Sequence, residues 1–377
     1  MKMAIDLLWV RPKQVGGIES YIRNLLDAFL ESDYPFQAIL IVSKDNNETF
    51  KKYYADERFT ECIANVYSCN VKKRILWQNF HLSHLLKKLA VDFCFEPYYC
   101  KPLLGSNKVK FVTTIHDLQA LHYPQYFSKF KNLWMRISWK HAIKSSRAVV
   151  AISQYVKGDI EKQYPKISKG KIYAIYNPIV LNYHEQSEQG IFSKLGIKEK
   201  EYFYTVSSLL PHKNLTTLIK ALAYLNKHYP GLPDTLVISG IGGKSKAEIE
   251  KLSKAYNVKL ILTGFVSNDE RNALYKGCSI FLFSSLFEGF GMPPVEAMML
   301  GTKVISTKST SLYEVTQGKC LYVDDPLDEK EWAEKIVSCN RNSISYEGFA
   351  PEVYSKHVVV KDYFHLFSIA VMNDNVK

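Results

Sequence analysis

The sequence predicts an α/β protein of two domains, each built on a doubly wound parallel sheet. The chain has 377 residues, more than one average domain holds, and 47% of them are hydrophobic, enough for two cores. Short apolar runs alternate with helical patterns in both halves, as parallel sheets with crossover helices require. Between the halves, Asn177-Pro178 and the polar stretch 182–190 are typical of a linker.

The first half contains seven predicted strands separated by helical patterns. These strands are residues 4–10, 36–43, 61–69, 91–97, 110–117, 148–153 and 171–176, with helices predicted at 18–29, 74–90 and 126–147. In the first helix the apolar side chains recur every three to four residues, the period of one helix face. We assign residues 1–185 to the first domain.

The second half repeats the alternation. Its predicted strands are residues 202–208, 235–240, 258–265, 279–284, 302–306 and 320–323, and its predicted helices are 214–229, 246–256, 269–278, 295–300 and 328–339. We assign residues 186–353 to the second domain. A further helical pattern follows at 354–371.

The net charge of +12 is concentrated in the first half. Up to Glu185 there are 27 Lys and Arg against 16 Asp and Glu, and the remainder has 22 against 21. This asymmetry predicts an anionic partner for the first domain: a phosphate-bearing acceptor, a membrane surface or nucleic acid. The basic and aromatic helix at 126–147 is typical of contact with anionic lipid, and a solvated helix with its aromatic residues packed inward is the alternative.

Several classes of protein are disfavoured by the sequence. No apolar run approaches the roughly 18 residues that span a bilayer. Residues 1–10 contain Asp6, lack a cleavage site and are predicted to form a strand, not a signal peptide. The seven cysteines include no Cys-x-x-Cys pair, which favours reduced core thiols in a cytoplasmic protein. The alternative for the location is a cytoplasmic protein attached to the inner face of the cytoplasmic membrane.

Three loops of the second half combine a cation, glycines and carboxylates at strand ends. Lys213 follows the first strand, the glycine turn 239–243 follows the second, and Glu288 lies after residues 279–284. Pro293 and Pro294 open the next helix, which places Glu296 in its first turn. Because carboxyl ends of parallel strands meet at one edge, this set suits a nucleoside diphosphate sugar. Lys213 would bind the diphosphate, Glu296 the ribose and Glu288 the sugar.

Two loops of the first half also follow predicted strands. Gly16 and Gly17 open the first helix, whose backbone N–H groups and dipole suit an anion, although the pair is not a Gly-x-Gly-x-x-Gly motif. His116 and Asp117 end the strand 110–117. That position favours an active-site histidine, and an ordinary surface histidine is the alternative.

The segment 288–296, EGFGMPPVE, resembles the E-x7-E signature of glycosyltransferase family 4. These are retaining enzymes of the GT-B fold, and the group includes enzymes of bacterial polysaccharide and lipopolysaccharide assembly. The resemblance extends over almost the whole chain. Weaker matches are Gly16-Gly17-Ile18, Ile115-His116-Asp117, the segments 151–153 and 177–178, His212-Lys213-Asn214 and the segment 311–315.

The resemblance implies a role for individual residues. His116, Lys213 and Glu288 would be catalytic. Donor-binding residues would be Gly16, Gly17, His212, Lys213, Gly240, Val266, Glu288, Gly289, Phe290, Gly291 and Glu296. One departure is that the family commonly has an arginine five positions before the lysine or immediately before it, where this chain has Ser208 and His212. His212 or backbone donors would then have to help with the diphosphate.

The resemblance also implies a mechanism without a metal or other cofactor. No Asp-x-Asp occurs in the chain, so the metal clamp of the other main glycosyltransferase fold is not expected. Retention can proceed through a covalent intermediate or by front-face attack, and the family resemblance favours front-face attack.

In similar enzymes the last helix crosses back onto the first domain, which we expect of residues 354–371, with packing on the second domain as the alternative.

We therefore expect a retaining, metal-independent hexosyltransferase that uses a nucleotide-sugar donor and a hydroxyl of a lipid-linked or growing oligosaccharide acceptor. His212-Lys213-Asn214 favours GDP-mannose over a UDP-sugar, and the loops 240–243, 265–266 and 290–293 would select base and sugar. The alternative is a noncatalytic nucleotide-sugar-binding or assembly subunit. Nucleic-acid binding would fit the basic half, but no recognition motif supports it, and no nucleic-acid partner is expected.

Overall fold

The computed structural model describes residues 1–12, 16–99, 101–104, 109–181, 185–241, 244–342, 346 and 348–372, and for 185–189 and 244–245 the backbone alone. The predicted linker 182–190 therefore lies partly outside the described residues. The chain divides into two compact units. The first unit comprises Met1–Ile179 with Glu352–Lys377, and the second comprises Val180–Pro351.

The first unit contains a seven-stranded parallel sheet of order β3-β2-β1-β4-β5-β6-β7. Strand β1 lies between β2 and β4, with Ile5 paired to Leu40 on one side and Phe95 on the other. The sheet thus winds outward in both directions from β1. Its strands are β1 (Lys2–Asp6), β2 (Gln37–Ser43), β3 (Phe59–Ala64), β4 (Phe93–Glu96), β5 (Phe111–Ile115), β6 (Ala148–Ala151) and β7 (Ile172–Ala174).

Helices flank this sheet. They are α1 (Gly17–Leu30), α2 (Val71–Trp77), α3 (Ser83–Lys88), α4 (Gln119–His122), α5 (Lys129–Ser145), α6 (Gln154–Gln163) and α7 (Pro165–Ser168). A π-helical segment, Gln78–Leu82, joins α2 to α3, and 3-10 turns occur at Asn47–Ala55, Pro124–Tyr126 and Glu352–Tyr354.

A helix from the other end of the sequence completes the first unit's core. This helix, Lys356–Val371, packs against α1, and the hydroxyl groups of Tyr21 and Tyr363 form a hydrogen bond. The rings of Phe29 and Phe364 meet edge to face with centroids 5.4 Å apart. Because such aromatic contacts bury large apolar areas, the helix is an integral part of this unit.

Several details of the first unit differ from the prediction. The predicted strand 61–69, for example, is β3 at Phe59–Ala64. Strand β1 ends at Asp6 instead of residue 10, because the Asp6 carboxylate accepts a hydrogen bond from the Leu8 N–H, 2.9 Å, and turns the chain. The predicted helix 74–90 is α2, the π segment and α3. Helix α6 was not predicted, although Ser153 caps it by accepting from the Val156 N–H, 3.1 Å.

The second unit contains a six-stranded parallel sheet of order β10-β9-β8-β11-β12-β13. Its strands are β8 (Tyr202–Val206), β9 (Thr235–Ser239), β10 (Lys259–Gly264), β11 (Ile280–Phe283), β12 (Val304–Thr307) and β13 (Leu321–Val323). Its helices are α8 (Glu185–Leu195), α9 (Leu215–His228), α10 (Lys244–Tyr256), α11 (Asn268–Gly277), α12 (Met292–Met299), α13 (Leu312–Val315) and α14 (Glu329–Arg341). The helix Lys356–Val371 is α15. Both units are parallel α/β layers, so the predicted fold class is confirmed.

The helix after the E-x7-E signature begins earlier than predicted. Helix α12 starts at Met292. As predicted, both prolines lie in its first turn, where their missing N–H groups would have had no intrahelical partner. Glu296 is therefore in the second turn, not the first. Helix α8, Glu185–Leu195, was not predicted, and it occupies residues 185–190 of the stretch that was predicted to be a linker.

Among the described helices, none combines the length and the apolar composition that crossing a bilayer requires.

Candidate functional site

The predicted donor-binding loops of the second unit all lie at one edge of its sheet. Val266 follows β10, Gly240 follows β9, Lys213 follows β8 and Glu288 follows β11, in the spatial order of the strands. Thr310, which was not predicted, follows β12 at the same edge. Because all the strands are parallel, this is the carboxyl edge, where doubly wound sheets bind ligands.

Lys213 and Glu288 form an ion pair at the centre of this edge. Their strands, β8 and β11, are neighbours in the sheet, and Lys213 Nζ lies 2.6 Å from Glu288 Oε1. The two side chains are 22% and 15% exposed, so the pair is shielded but accessible to a ligand. The structure thus brings together the two residues that the sequence assigned to the diphosphate and the sugar.

The backbone of the Lys213 loop is fixed to the loop after β11. Pro211–Lys213 form a 3-10 turn, whose His212 carbonyl accepts from the Leu286 N–H, 2.7 Å. The Ser284 hydroxyl donates to the Lys213 carbonyl, 2.8 Å. These bonds fix the backbone that carries Lys213 relative to the loop that carries Glu288.

The turn that carries Glu288 is held from its other side by the loop after β12. Thr310 Oγ1 accepts from the Glu288 N–H and donates to the Glu288 carbonyl, both at 2.9 Å. Ser311 Oγ donates to the carbonyls of Glu288 and Phe290, at 3.0 and 2.7 Å. These four hydrogen bonds could not be predicted from the sequence, because a serine or threonine in a loop does not indicate which backbone groups it will contact.

Gly291 is required where the turn enters α12. Its φ is +99°, and a Cβ there would lie 2.5 Å from Cδ2 of Leu312, a fully buried side chain. Positive φ and close packing both oppose any larger residue.

We expect Gly291→Ala to destabilise the protein by about 2–4 kcal/mol, the sum of backbone strain and overpacking. Gly301→Ala is the matched control, because Gly301 has φ +76° but no atom of the described residues, apart from its chain neighbours, within 4 Å of the Cβ position. Urea denaturation followed by circular dichroism measures both variants. Equal losses for the two would show that the Leu312 contact contributes nothing.

Glu296 is held by two residues of helix α11 that the sequence analysis missed. Arg271 Nη2 lies 3.3 Å from Glu296 Oε1, and the Tyr275 hydroxyl donates to Oε2 at 2.9 Å. The Glu296 carboxylate raises the pKa of Arg271 above its ordinary value. Arg271 and Tyr275 are four residues apart and share one face of a predicted helix, but this spacing does not indicate that they contact Glu296.

His212 does not add a charge beside Lys213. Burial, with a smaller contribution from the Lys213 cation, lowers the pKa of His212 to about 4. The imidazole is therefore neutral at physiological pH. Of the two positions where the family commonly has an arginine, one is a neutral histidine and the other is Ser208, so Lys213 is the permanent cation of this loop.

The glycine turn after β9 is constrained at its first residue. Gly240 has φ +92°, and a Cβ would lie 2.8 Å from the Ser207 carbonyl oxygen at the end of β8. The Gly240 N–H donates to the Gly264 carbonyl, 2.8 Å, which places Val266 on the adjacent loop. Gly242 and Gly243, the rest of the predicted turn, lie outside the described residues.

In the first unit, His116 follows β5 at the carboxyl edge and is buried. Its Nε2 lies 2.8 Å from the Pro97 carbonyl, and burial lowers its pKa to about 4. Because a carbonyl can only accept, Nε2 carries the proton of the neutral ring and Nδ1 is an acceptor. A ligand hydroxyl could donate to Nδ1.

Gly16 and Gly17 lie at the amino end of α1. Among the described residues, no atom beyond their chain neighbours and the helix's own backbone lies within 4 Å of the Cβ position of either. Residues 13–15, which precede the pair, lie outside the described residues.

Two buried carboxyl groups at the carboxyl edge of the first sheet were also missed. Asp6 ends β1 and Glu96 ends the adjacent β4. Burial raises the pKa of both, and for Glu96 the nearby Asp6 carboxylate adds to the effect. Asp6 accepts from Gln78 Nε2 at 2.6 Å, so it joins β1 to the π segment. An aspartate or glutamate in a short apolar strand was the available signal.

No group of three or more His, Cys, Asp or Glu with the arrangement of a metal site occurs among the described residues.

The architecture identifies the class of protein. The structure of HepE of Anabaena, solved in complex with UDP and glucose, superposes with a TM-score of 0.71 over 98% of this chain and 99% of that one, at 16% identity. A likeness at this identity establishes the fold, which is GT-B, the two-domain fold of glycosyltransferases.

The sequence places the chain within that class. The family model described as Glycosyltransferase Family 4 matches residues 15–183, and the model Glycosyl transferases group 1 matches residues 187–354. Together the two models match nearly the whole chain. The chain therefore belongs to the glycosyltransferase family that they describe, and it is a glycosyltransferase. The resemblance first suggested by residues 288–296 is confirmed.

Two relatives are mannosyltransferases by name. The chain is 28% identical over 306 residues to the O-antigen chain mannosyltransferase RfbU of Salmonella typhimurium, which covers 79% of this chain and 80% of RfbU. It is 31% identical over 180 residues to the serotype-specific mannosyltransferase WbdA of Escherichia coli, 45% of this chain but 21% of WbdA.

Proposed function

We propose that this glycosyltransferase moves a mannosyl group from GDP-mannose to a hydroxyl of a lipid-linked or growing glycan, with retention of configuration at C1. The observation that carries the proposal is the Lys213–Glu288 pair at the carboxyl edge of the second unit's sheet. It offers one cation for a diphosphate directly beside one carboxylate for sugar hydroxyls.

The donor would be bound by groups of known orientation. Lys213 Nζ would exchange part of its contact with Glu288 for the diphosphate, a charge-assisted hydrogen bond in a shielded site. Glu296 would accept from the ribose hydroxyls, since each oxygen has a second lone pair beyond its bond to Arg271 or Tyr275. Glu288 would orient the mannosyl hydroxyls.

In the proposed reaction the bond between C1 of the sugar and the diphosphate oxygen breaks. The acceptor oxygen bonds to C1 on the same face, and the acceptor proton passes to the departing phosphate. Lys213 would stabilise the charge that develops on the leaving group. Fixed donors of this kind reduce the barrier because they need no reorganisation.

The sugar and the acceptor are inferred from relatives and from charge. RfbU and WbdA are named mannosyltransferases, and RfbU is named for the O-antigen chain. The excess of 27 basic over 16 acidic residues up to Glu185 suits an acceptor that bears phosphate. A UDP-sugar is the alternative donor, because HepE is structurally similar and was solved with UDP.

Thermal shift with GDP, UDP and ADP tests the donor. A ligand present at about 100 times its Kd adds roughly 2.7 kcal/mol of stability, and we expect GDP to give the largest shift. Lys213→Met should lose most of the shift. Lys227→Met, an exposed lysine of helix α9, is the matched control and should retain it. A larger shift with UDP would replace GDP-mannose by a UDP-sugar in this proposal.

Transfer is tested by incubation with GDP-mannose and a panel of lipid-linked acceptors, and the anomeric proton of the product is read by NMR. An α-linked product from the α-linked donor indicates retention, and a chelator such as EDTA should leave the rate unchanged. Tight GDP binding without transfer or hydrolysis across the panel would instead support a noncatalytic donor-binding subunit.

A further inference from the structure

The first unit exposes large apolar side chains on two neighbouring helical segments. On α5, Phe130 is 80% exposed, and Leu133 and Ile137 follow at three- and four-residue steps on the same face. On α2 and the π segment, Leu76 and Phe80 are exposed one helical turn apart. A stripe repeated at helical spacing differs from the single exposed apolar residues of ordinary surfaces.

The segment 101–104 joins these two helical faces into one surface. Asn79 Oδ1 accepts from the N–H groups of Leu103 and Leu104, both at 2.8 Å. At its other end the Pro102 carbonyl accepts from Nε2 of His141, one turn after Ile137, at 2.9 Å. The six exposed side chains, here called the apolar surface, are Leu76, Phe80, Leu104, Phe130, Leu133 and Ile137.

Exposed lysines flank the apolar surface on both helical segments. Lys140 and Lys144 continue the exposed face of α5 beyond Ile137. Further exposed lysines are Lys72, Lys73, Lys87, Lys88, Lys129 and Lys131. Within the described part of the chain, none of these eight is ion-paired with a carboxylate. Their charge is therefore available to a partner.

Acidic residues are nearly absent from this region. Residues 62–158 contain 15 Lys and Arg and three Asp and Glu, so they alone carry a net charge of +12, the net charge of the whole chain. Two of the three acids, Asp92 and Glu96, lie at β4, and Glu96 is buried. The helical segments that carry the apolar surface therefore belong to a strongly basic part of the chain.

We propose that the apolar surface is a docking site for an anionic lipid bilayer. Apolar side chains would enter the boundary between headgroups and acyl chains while the flanking lysines contact lipid phosphates, the pattern of interfacial amphipathic helices. The charge complementarity favours this occupant over a second copy of the chain, whose equally basic surface would be repelled. Only the reason for docking, access to a lipid-linked acceptor, rests on the proposed function.

Vesicle co-sedimentation tests the surface without donor or acceptor, so its outcome does not depend on transfer. The full chain is mixed with vesicles of phosphatidylcholine alone or with an equal part of phosphatidylglycerol. We expect binding to the anionic vesicles that falls steeply as NaCl rises from about 0.05 M to about 0.5 M, because salt screens the lysines. Lys140→Gln/Lys144→Gln should weaken binding roughly fivefold for each lysine removed.

The apolar contribution is tested by Phe130→Ser/Leu133→Ser/Ile137→Ser, which should release the protein from the vesicles. Matched controls in the second unit are Leu327→Ser, an exposed leucine, and Lys251→Gln/Lys254→Gln on α10, which should bind as the unmodified protein does. Circular dichroism checks that each variant is folded.

Equal binding to neutral and anionic vesicles, or unchanged binding of the triple serine variant, would overturn the proposal. So would a dimer in solution, measured by sedimentation velocity, that the triple serine variant converts to a monomer, because the surface would then be an interface between two copies.

Discussion

Replacing Glu288 by Gln should reduce kcat by about 10²–10³-fold, the scale on which removal of one positioned charge acts in other active sites. The substitution keeps the size of the side chain and removes the charge that lies 2.6 Å from Lys213 Nζ. One acceptor oxygen would become an NH2 donor, so the sugar would lose a charged acceptor, and Lys213 would lose its anionic partner. Donor binding should change less, because Lys213 and Glu296 remain.

Steady-state kinetics with GDP-mannose at saturating acceptor measures the effect. Glu334→Gln, an exposed glutamate on α14, is the matched control and should leave kcat unchanged. The double variant Lys213→Met/Glu288→Gln should lose less than the product of the two single losses, since residues in contact are not additive. Full activity of Glu288→Gln would refute its assigned role.

Replacing Arg271 by Leu should destabilise the protein by about 3 kcal/mol, because it leaves the Glu296 carboxylate buried with Tyr275 as its remaining partner from this helix. Arg271 Nη2 lies 3.3 Å from Glu296 Oε1, and the two side chains are 19% and 6% exposed. Removing one partner of a buried ion pair costs more stability than replacing both partners with uncharged side chains, because the remaining charge stays buried. Donor KM should also rise, because Glu296 would no longer be held toward the ribose.

Denaturant midpoints test the stability effect. The double variant Arg271→Leu/Glu296→Gln should recover most of the loss, because no unpaired charge remains buried. Arg271→Lys retains a cation and should lose less than Arg271→Leu. If the double variant is as unstable as Arg271→Leu, the loss arises from packing of the arginine side chain and not from the charge.

The fold was predictable because its main determinants are local in the sequence. Strands buried on both faces occur as short apolar runs, such as Ile280–Phe283, and helices as residues at a 3.6 period, such as those of α1. Errors arose where a single polar contact outweighs the pattern. The Asp6 carboxylate ends β1 four residues before the apolar run ends, since it is satisfied by the Leu8 N–H and Gln78.

The candidate site was predictable only in part. Lys213 and Glu288 could be placed together because parallel strands carry their following loops to one edge. Arg271 and Thr310 could not, because their contacts depend on how α11 and the loop after β12 pack, and periodicity reports which face is buried but not which polar atoms meet. The roles of Glu296, His116, Gly16 and Gly17 with substrate remain predictions.

The packing of α15 also determines the order in which the units can be completed during synthesis. Residues 359–370 supply seven side chains to the same core as α1 and β1, although the ribosome makes them more than 300 residues later. The second unit, Val180–Pro351, is continuous in sequence and can close as it emerges from the ribosome. The unit made first therefore finishes last, and until then its nascent strands expose the apolar area that α15 covers, as a target for chaperones.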